Sequence, residues 1–298
     1  MEIVKLKGAV KDYLWGGNRL FKFGKTSTSS IIAESWEISF RDEGATIINS
    51  GTNSNKLLKD IATISDLGTK VSNFAFFPIL NKLIDAKDNL SIQVHPNDEY
   101  ALKNENSYGK TEMWYVVDAE EDSVLYIGFN KDVTDEEIKE KIVDNTLIEI
   151  LNKIHVKPND CFFVPSGIVH AIGKGCLIYE IQENSNLTYR IFDYGRKDKN
   201  GNNRELHIEK ALQVINKKKF KPVNIQSDHL AKCEYFVVNK LVNPRLIKAP
   251  KDSFLVCTVI NGNGKINDLN ANQGDSFFFP CGEKANVNGD MTIITTNV

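Results

Sequence analysis

Four polar side chains in this sequence are of types that bind transition metals, and their placement directs them toward shared faces. Gln93 and His95 lie two apart in the extended stretch "SIQVHPNDEY" (91–100), so on a β-strand both project the same way. Glu112 opens the apolar run "EMWYVV" just after a glycine turn, and His170 follows the proline turn "VPSG". A lone strand histidine is ordinarily a hydrogen-bonded core residue, but two imidazoles with a carboxylate and an amide oxygen form a different set. Mixed nitrogen and oxygen donors of this kind suit zinc, with iron or manganese open on ligand type. Only one donor is formally charged. A bound ion would therefore stay Lewis acidic, and a water or substrate oxygen would complete a catalytic site.

A second polar run, "EIQENSNLTYRIFDYGR" (180–196), carries Glu180, Gln182, Thr188 and Arg190 on even numbers. They share one face if the strand is unbroken, and "NSN" (184–186) is where a bulge or turn would break it. Beside a metal, Arg190 is a candidate to hold an anionic substrate or a developing oxyanion. His155 reads as a helix end and His229 as part of a polar connection, whereas His207 in "RELHIEK" takes no role from the sequence. "GKT" (109–111) copies the tail of a phosphate-binding loop, but that pattern needs glycine where Asn104 stands.

The elements that must position these groups are mostly short and β-rich. "SVLYIGF", "DCFFVPSG", "CLIYEIQE", "FLVCTVING", "SFFFPCG" and "MTIITT" alternate with Gly, Asn and Pro punctuation, the texture of a barrel or sandwich. Thr134 and Glu137 form a capping box ahead of "EEIKEKIVDNTLIEILNKI" (136–154), whose apolar spacing predicts a helix. "NKLLKDIATI" (55–64) and "LHIEKALQVI" (206–215) read as short amphipathic helices. The frame [NG]-D-x-F-F-x-P-x-G occurs twice, at 159–167 and 274–282, which predicts two similar β-units. Five residues after the proline stands His170 in the first copy and Ala285 in the second, so the second lacks a ligand there.

With 298 residues, 41% hydrophobic and 26% charged, the chain reads as an ordinary globular protein. A net charge of −2 gives no field of one sign for nucleic acid or a membrane surface, and the basic run "NKKKFKPV" reads as a solvated connection. No apolar run approaches the roughly 18 residues of a spanning helix, and the first residues show no signal-peptide core. A cytoplasmic location is expected. Five cysteines without CxxC spacing suit reduced thiols.

In order, "WGG" (15–17), "AESWEIS" (33–39), "FPILNKLIDAKDNLSIQVHPNDEYA" (77–101), "GKTEMWYV" (109–116), "VPSGIVHAIG" (164–173), the 180–196 run and "RELHIEKAL" (204–212) resemble the type I mannose-6-phosphate isomerases in their short bacterial form. The resemblance implies a mainly β fold of two cupin-type, jelly-roll-like barrels with peripheral helices. It also implies interconversion of mannose 6-phosphate and fructose 6-phosphate through an enediol, one zinc per chain on Gln93, His95, Glu112 and His170, and a catalytic Arg190. The expected organisation is a catalytic domain at 1–215 and a metal-free β-domain at 216–298. Lys110, on the same strand face as Glu112, and Glu180 are the candidate bases, and Lys110 or Arg196 the further phosphate contacts. The expected partner is a small sugar phosphate, with the chain a monomer or weak homo-oligomer. An iron-dependent cupin oxygenase and a non-catalytic sugar-phosphate-binding cupin are the alternatives. Two departures from the family stand outside the donors and Arg190: Phe40-Arg41-Asp42 after "SWEIS", and Asn186 where aspartate is usual.

Overall fold

Runs of β-branched and aromatic residues punctuated by Gly, Asn and Pro become strands in nearly every place the sequence puts them. A computed structural model describes residues 1–197 and 201–298, and it is mainly β. The chain divides into two compact units, one of Met1–Tyr13, Asn18–Leu83 and Gln226–Val298, the other of Leu14–Gly17 and Ile84–Ile225. This division differs from the boundary read at 215/216. The strand Val4–Lys7 pairs antiparallel with Ser276–Phe279, Val4 lying opposite Phe278, so the N-terminal segment groups with the far end of the chain. Strand partners this distant leave no local signal, because backbone hydrogen bonding carries no side-chain pattern of its own.

In the first unit a sheet runs in the order His229–Lys232, Val237–Val242, Lys284–Asn297, Leu255–Ile266, Ser276–Phe279, Val4–Lys7 and Ile47–Ile48. One core beneath it contains Val259, Phe277, Phe279, Ala285 and Ile293. Phe278 points the other way and stacks on Phe254 at 5.8 Å, which explains why this strand reads as an unbroken apolar run.

The same unit encloses a charge. Glu37, in "AESWEIS", is fully buried, 2.7 Å from the Lys25 ammonium, and accepts a 2.7 Å hydrogen bond from Ser276 Oγ. Lys25 also donates to Gly274 O at 2.7 Å. Removing one partner of a buried pair strands the other, so Lys25→Ala is expected to destabilise folding by about 3–5 kcal/mol. Urea unfolding that shows a loss below ~1 kcal/mol would contradict a buried pair.

The second unit carries the sheet Tyr189–Phe192, Ile92–Val94, His170–Ile172, Val124–Phe129 and Leu151–His155, in that order. Beside these lie Cys161–Val164, Glu112–Ala119 and Cys176–Glu183, with Glu112–Ala119 between the other two and antiparallel to both. Ile92, Val94, Phe129, Val169, Tyr189 and Ile191 share a core with Ile138, Ile142 and Leu212 of two helices.

The helix expected through residue 154 stops early. Thr134 caps Asp135–Val143, with its hydroxyl accepting from the Glu137 amide at 3.2 Å. Asn145 then turns the backbone to φ 58°, and Leu151–His155 is a strand paired with Val124–Phe129. Asn152 fixes that pairing by donating to the carbonyls of Ile127, Phe129 and Phe220 at 2.9–3.1 Å. His155 consequently ends a strand rather than a helix, and exposed His229 begins one. The 55–64 segment gives only the single turn Leu58–Ile61, while Ile208–Val214 is helical within the expected 206–215.

The repeated frame has a backbone counterpart. Asn159 and Gly274 both take positive φ, 76° and 89°, and so do Gly167 and Gly282, 81° and 77°, at equivalent positions around the strands Cys161–Val164 and Ser276–Phe279.

Candidate metal centre and active site

His95, Glu112 and His170 come together in the second unit, each at most 1% exposed, with one potential donor atom from each lying within 4.8 Å of the others. His170 sits directly opposite Gln93 across the strand pair, and Glu112 opens the central strand of the neighbouring three. His95 Nδ1–H donates to Leu187 O at 2.7 Å and His170 Nδ1–H to Ile168 O at 2.8 Å, since a carbonyl can only accept. These bonds fix both tautomers and leave two unprotonated Nε2 atoms 3.2 Å apart. His170 Nε2 is also 3.2 Å from Glu112 Oε1, and the Gln93 amide nitrogen is 3.4 Å from both imidazoles. Turning that amide by half a rotation presents its oxygen instead.

Lone pairs and a carboxylate converging in a dry site repel one another unless a cation lies among them. Lys110 supplies a positive charge here, donating to Glu112 Oε2 and lying 3.1 Å from His95 Nε2. Burial, followed by the Lys110 charge, pushes the His170 imidazole down to about 4, so it stands neutral as a metal donor must. The donor set thus fits a divalent ion of the zinc class.

Glu180 lies directly opposite Trp114 in the strand pairing and accepts its indole N–H at 3.0 Å, with the second carboxylate oxygen 3.8 Å from the Lys110 ammonium. The segment carrying Lys110 is held from both sides. Gly109 N–H donates to Asp98 Oδ1 at 2.7 Å, Lys110 N–H to Pro96 O at 3.0 Å and Thr111 N–H to Glu183 Oε1 at 2.5 Å. Burial and then the Asp98 charge push the Glu183 carboxyl up to about 8. A Cβ on Gly109 would stand 2.6 Å from the backbone of Asn97 and Asp98. Gly109→Ala should therefore shift Lys110 and lower turnover about tenfold or more. Unchanged kcat in that variant would show that the position of Lys110 does not matter.

The run 180–196 does not form one face. Glu180 belongs to Cys176–Glu183 and Arg190 to Tyr189–Phe192, with the turn between them pinned by Gln182, whose amide donates to Glu183 O and Ser185 O at 2.8 and 2.6 Å. Arg190 nevertheless reaches the donor cluster by another route. It lies opposite Gln93, its Nε donates to Ser91 Oγ at 3.3 Å, and Ser91 Oγ donates to Gln93 Oε1 at 3.3 Å.

The model of the phosphomannose isomerase type I catalytic domain matches residues 3–121. The mannose-6-phosphate isomerase ManA of Bacillus subtilis is 38% identical over 278 residues, covering 87% of this chain and 86% of its own. The chain belongs to the type I phosphomannose isomerases. The mannose-6-phosphate isomerase of Streptococcus mutans is 34% identical, covering 98% of this chain and 97% of its own. A crystal structure of the mannose 6-phosphate isomerase from Bacillus subtilis superposes with a TM-score of 0.88 at 32% identity, covering 100% of both chains, a shared mainly β fold that is consistent with the cupin type.

In this member of the type I phosphomannose isomerases, the residues that depart from the family pattern are tied down locally. Phe40 stacks on Phe77 at 3.9 Å, Arg41 pairs with Glu43 and Asp42 with Lys59, while Asn186 is exposed. Two contributors escaped the sequence reading. Ser91 was legible as the first of three alternating polar residues, Ser91, Gln93 and His95, on one face. Arg204 was not: it joins Arg196 on the Asp193 carboxylate, 3.4 Å from it, through a return of the chain that no local period announces.

Proposed function

We propose that the protein is a zinc-dependent isomerase that interconverts mannose 6-phosphate and fructose 6-phosphate by moving a proton between C1 and C2 through an enediol. The observation that carries this reading is the buried convergence of two tautomer-fixed imidazoles, Glu112 and Gln93 beside Lys110 and Glu180. Relatives named for this activity share 34–38% of their residues over most of the chain. Gln93, His95, Glu112 and His170 would hold the ion, which when bound lowers the cost of negative charge on the sugar's C1 and C2 oxygens.

Lys110 and Glu180 are the proton carriers beside the donors, 3.8 Å apart. One of them, in its unprotonated form, takes the proton from C2 of the aldose and returns it to C1 to give the ketose, while the other hydrogen-bonds the sugar oxygen that gains charge, and burial of both limits competition from water. Arg190 steadies the enediolate with a charge that does not depend on pH. Arg196 and Arg204, gathered on Asp193, supply the further positive charge for the phosphate. A cytoplasmic enzyme is the corresponding reading of location.

The test is a coupled assay that follows fructose 6-phosphate formed from mannose 6-phosphate by zinc-loaded protein. Turnover confined to mannose 6-phosphate supports the proposal. No turnover of any aldose 6-phosphate at full metal content overturns it.

A further inference from the structure

Arg190 lies on the edge strand of its sheet, Tyr189–Phe192, with Ile92–Val94 on one side and, among the described residues, no further strand of that sheet on the other. Backbone groups on an open edge are free to shift and to exchange with water. Here the N–H and C=O of Arg190 itself are both taken by one residue. His207 N–H donates to Arg190 O at 2.7 Å, and Arg190 N–H donates to His207 Nδ1 at 3.2 Å. One residue pair before the helix Ile208–Val214, Glu205 O accepts from the Arg190 guanidinium at 2.9 Å. The "RELHIEK" segment thus grips Arg190 at backbone and side chain together.

We propose that His207 is a positioning residue for Arg190, and that its neutral imidazole is required to keep the guanidinium aimed at Ser91 and the donor cluster. This rests on the isomerase reading of Arg190. The grip needs a bare Nδ1, because a protonated ring would set two N–H groups against each other. Around the ring stand Arg190 from its strand, Glu205 and Lys210 from the segment and helix of His207 itself, Glu105 from the helix Asp98–Glu105, and the Tyr189 ring at 6.2 Å. Glu205 Oε2 is 3.9 Å from Nε2 but largely exposed, so solvent weakens its pull. Burial, opposed by Glu205 and aided by Arg190 and Lys210, holds the imidazole below its ordinary 6.5. The folded state therefore favours the neutral ring. The grip is intact above that lowered value and is lost as pH falls through it, which adds an acid limb to kcat.

His207→Ala removes the acceptor, whereas His207→Asn keeps an oxygen near the Nδ1 position that does not titrate. In zinc-loaded protein, His207→Ala is expected to lower kcat by roughly 10- to 100-fold with metal content unchanged. His207→Asn should recover most of that loss and lack the acid limb. In an Arg190→Ala background, His207→Ala should cost nothing further, since there is no guanidinium left to place.

Equal losses in the parent and the Arg190→Ala background would show a merely structural role and overturn the proposal, as would parental kcat in His207→Ala. If His207→Ala fails to fold, the pH profile of His207→Asn decides alone, and an unchanged acid limb refutes the inference. One measurement stands apart from activity: the Arg190 backbone amide resonance should follow the His207 titration in the parent. An amide that ignores it removes the grip, whatever becomes of the isomerase assignment.

Discussion

Chelation is expected to abolish isomerisation, and zinc to restore it. Each donor is neutral or a single carboxylate, so a bound ion would be held by coordination and not trapped by charge, and a stronger ligand in excess could extract it. After extraction the Lys110 ammonium keeps the donors compatible, because it already bridges Glu112 and His95, and the fold should survive. Loss of activity should thus precede any loss of structure. Elemental analysis of dialysed protein is expected to give about one zinc per chain, since Ala285 stands at the position that repeats His170. In a His95→Ala, His170→Ala double variant the ratio should fall close to zero. Full activity of metal-free protein would sink the mechanism, and a tightly held equivalent in the double variant would place a site elsewhere.

How far the sequence could be read depended on whether each signal was local. The face shared by Gln93 and His95, the capping of Asp135–Val143 by Thr134 and the two proline turns are decided within a few residues, and alternation, side-chain capping and glycine supply the signals. Leu147, Leu151 and Ile154 kept an approximate helical spacing, yet Asn145 in left-handed conformation and the anchoring of the Asn152 amide among neighbouring carbonyls made a strand of the last five residues. Tertiary pairing there outweighed propensity. The placement of Arg190 shows the same division in the site: parity grouped it with Glu180, whereas cross-strand register sets it opposite Gln93, and register is invisible until both strands are placed. The division into compact units differs from the 215/216 boundary for the same reason, since Val4–Lys7 finds its partner at Ser276–Phe279.

Arg190→Ala should lower kcat by about 10²- to 10³-fold while leaving the metal in place. The guanidinium contributes no donor atom to the His95, Glu112 and His170 cluster, and it connects to that cluster through Ser91 and Gln93. On the proposed mechanism its removal therefore leaves coordination intact and withdraws positive charge from the point where an enediolate would form. That charge acts more strongly in the transition state than on the neutral ground-state sugar, so kcat should fall more than KM rises. Burial and the nearby Arg204 lower the Arg190 pKa from its usual value, but a guanidinium stays charged throughout the working range, so the variant's deficit should be uniform in pH apart from the limb assigned to His207. Arg190→Lys should rescue poorly, because an ammonium cannot reach Ser91 Oγ and Glu205 O at once as the planar fork does. Steady-state kinetics beside zinc analysis separates the outcomes. A proportional loss of zinc would make Arg190 a support of the metal centre, and near-parental kcat in the alanine variant would remove it from catalysis.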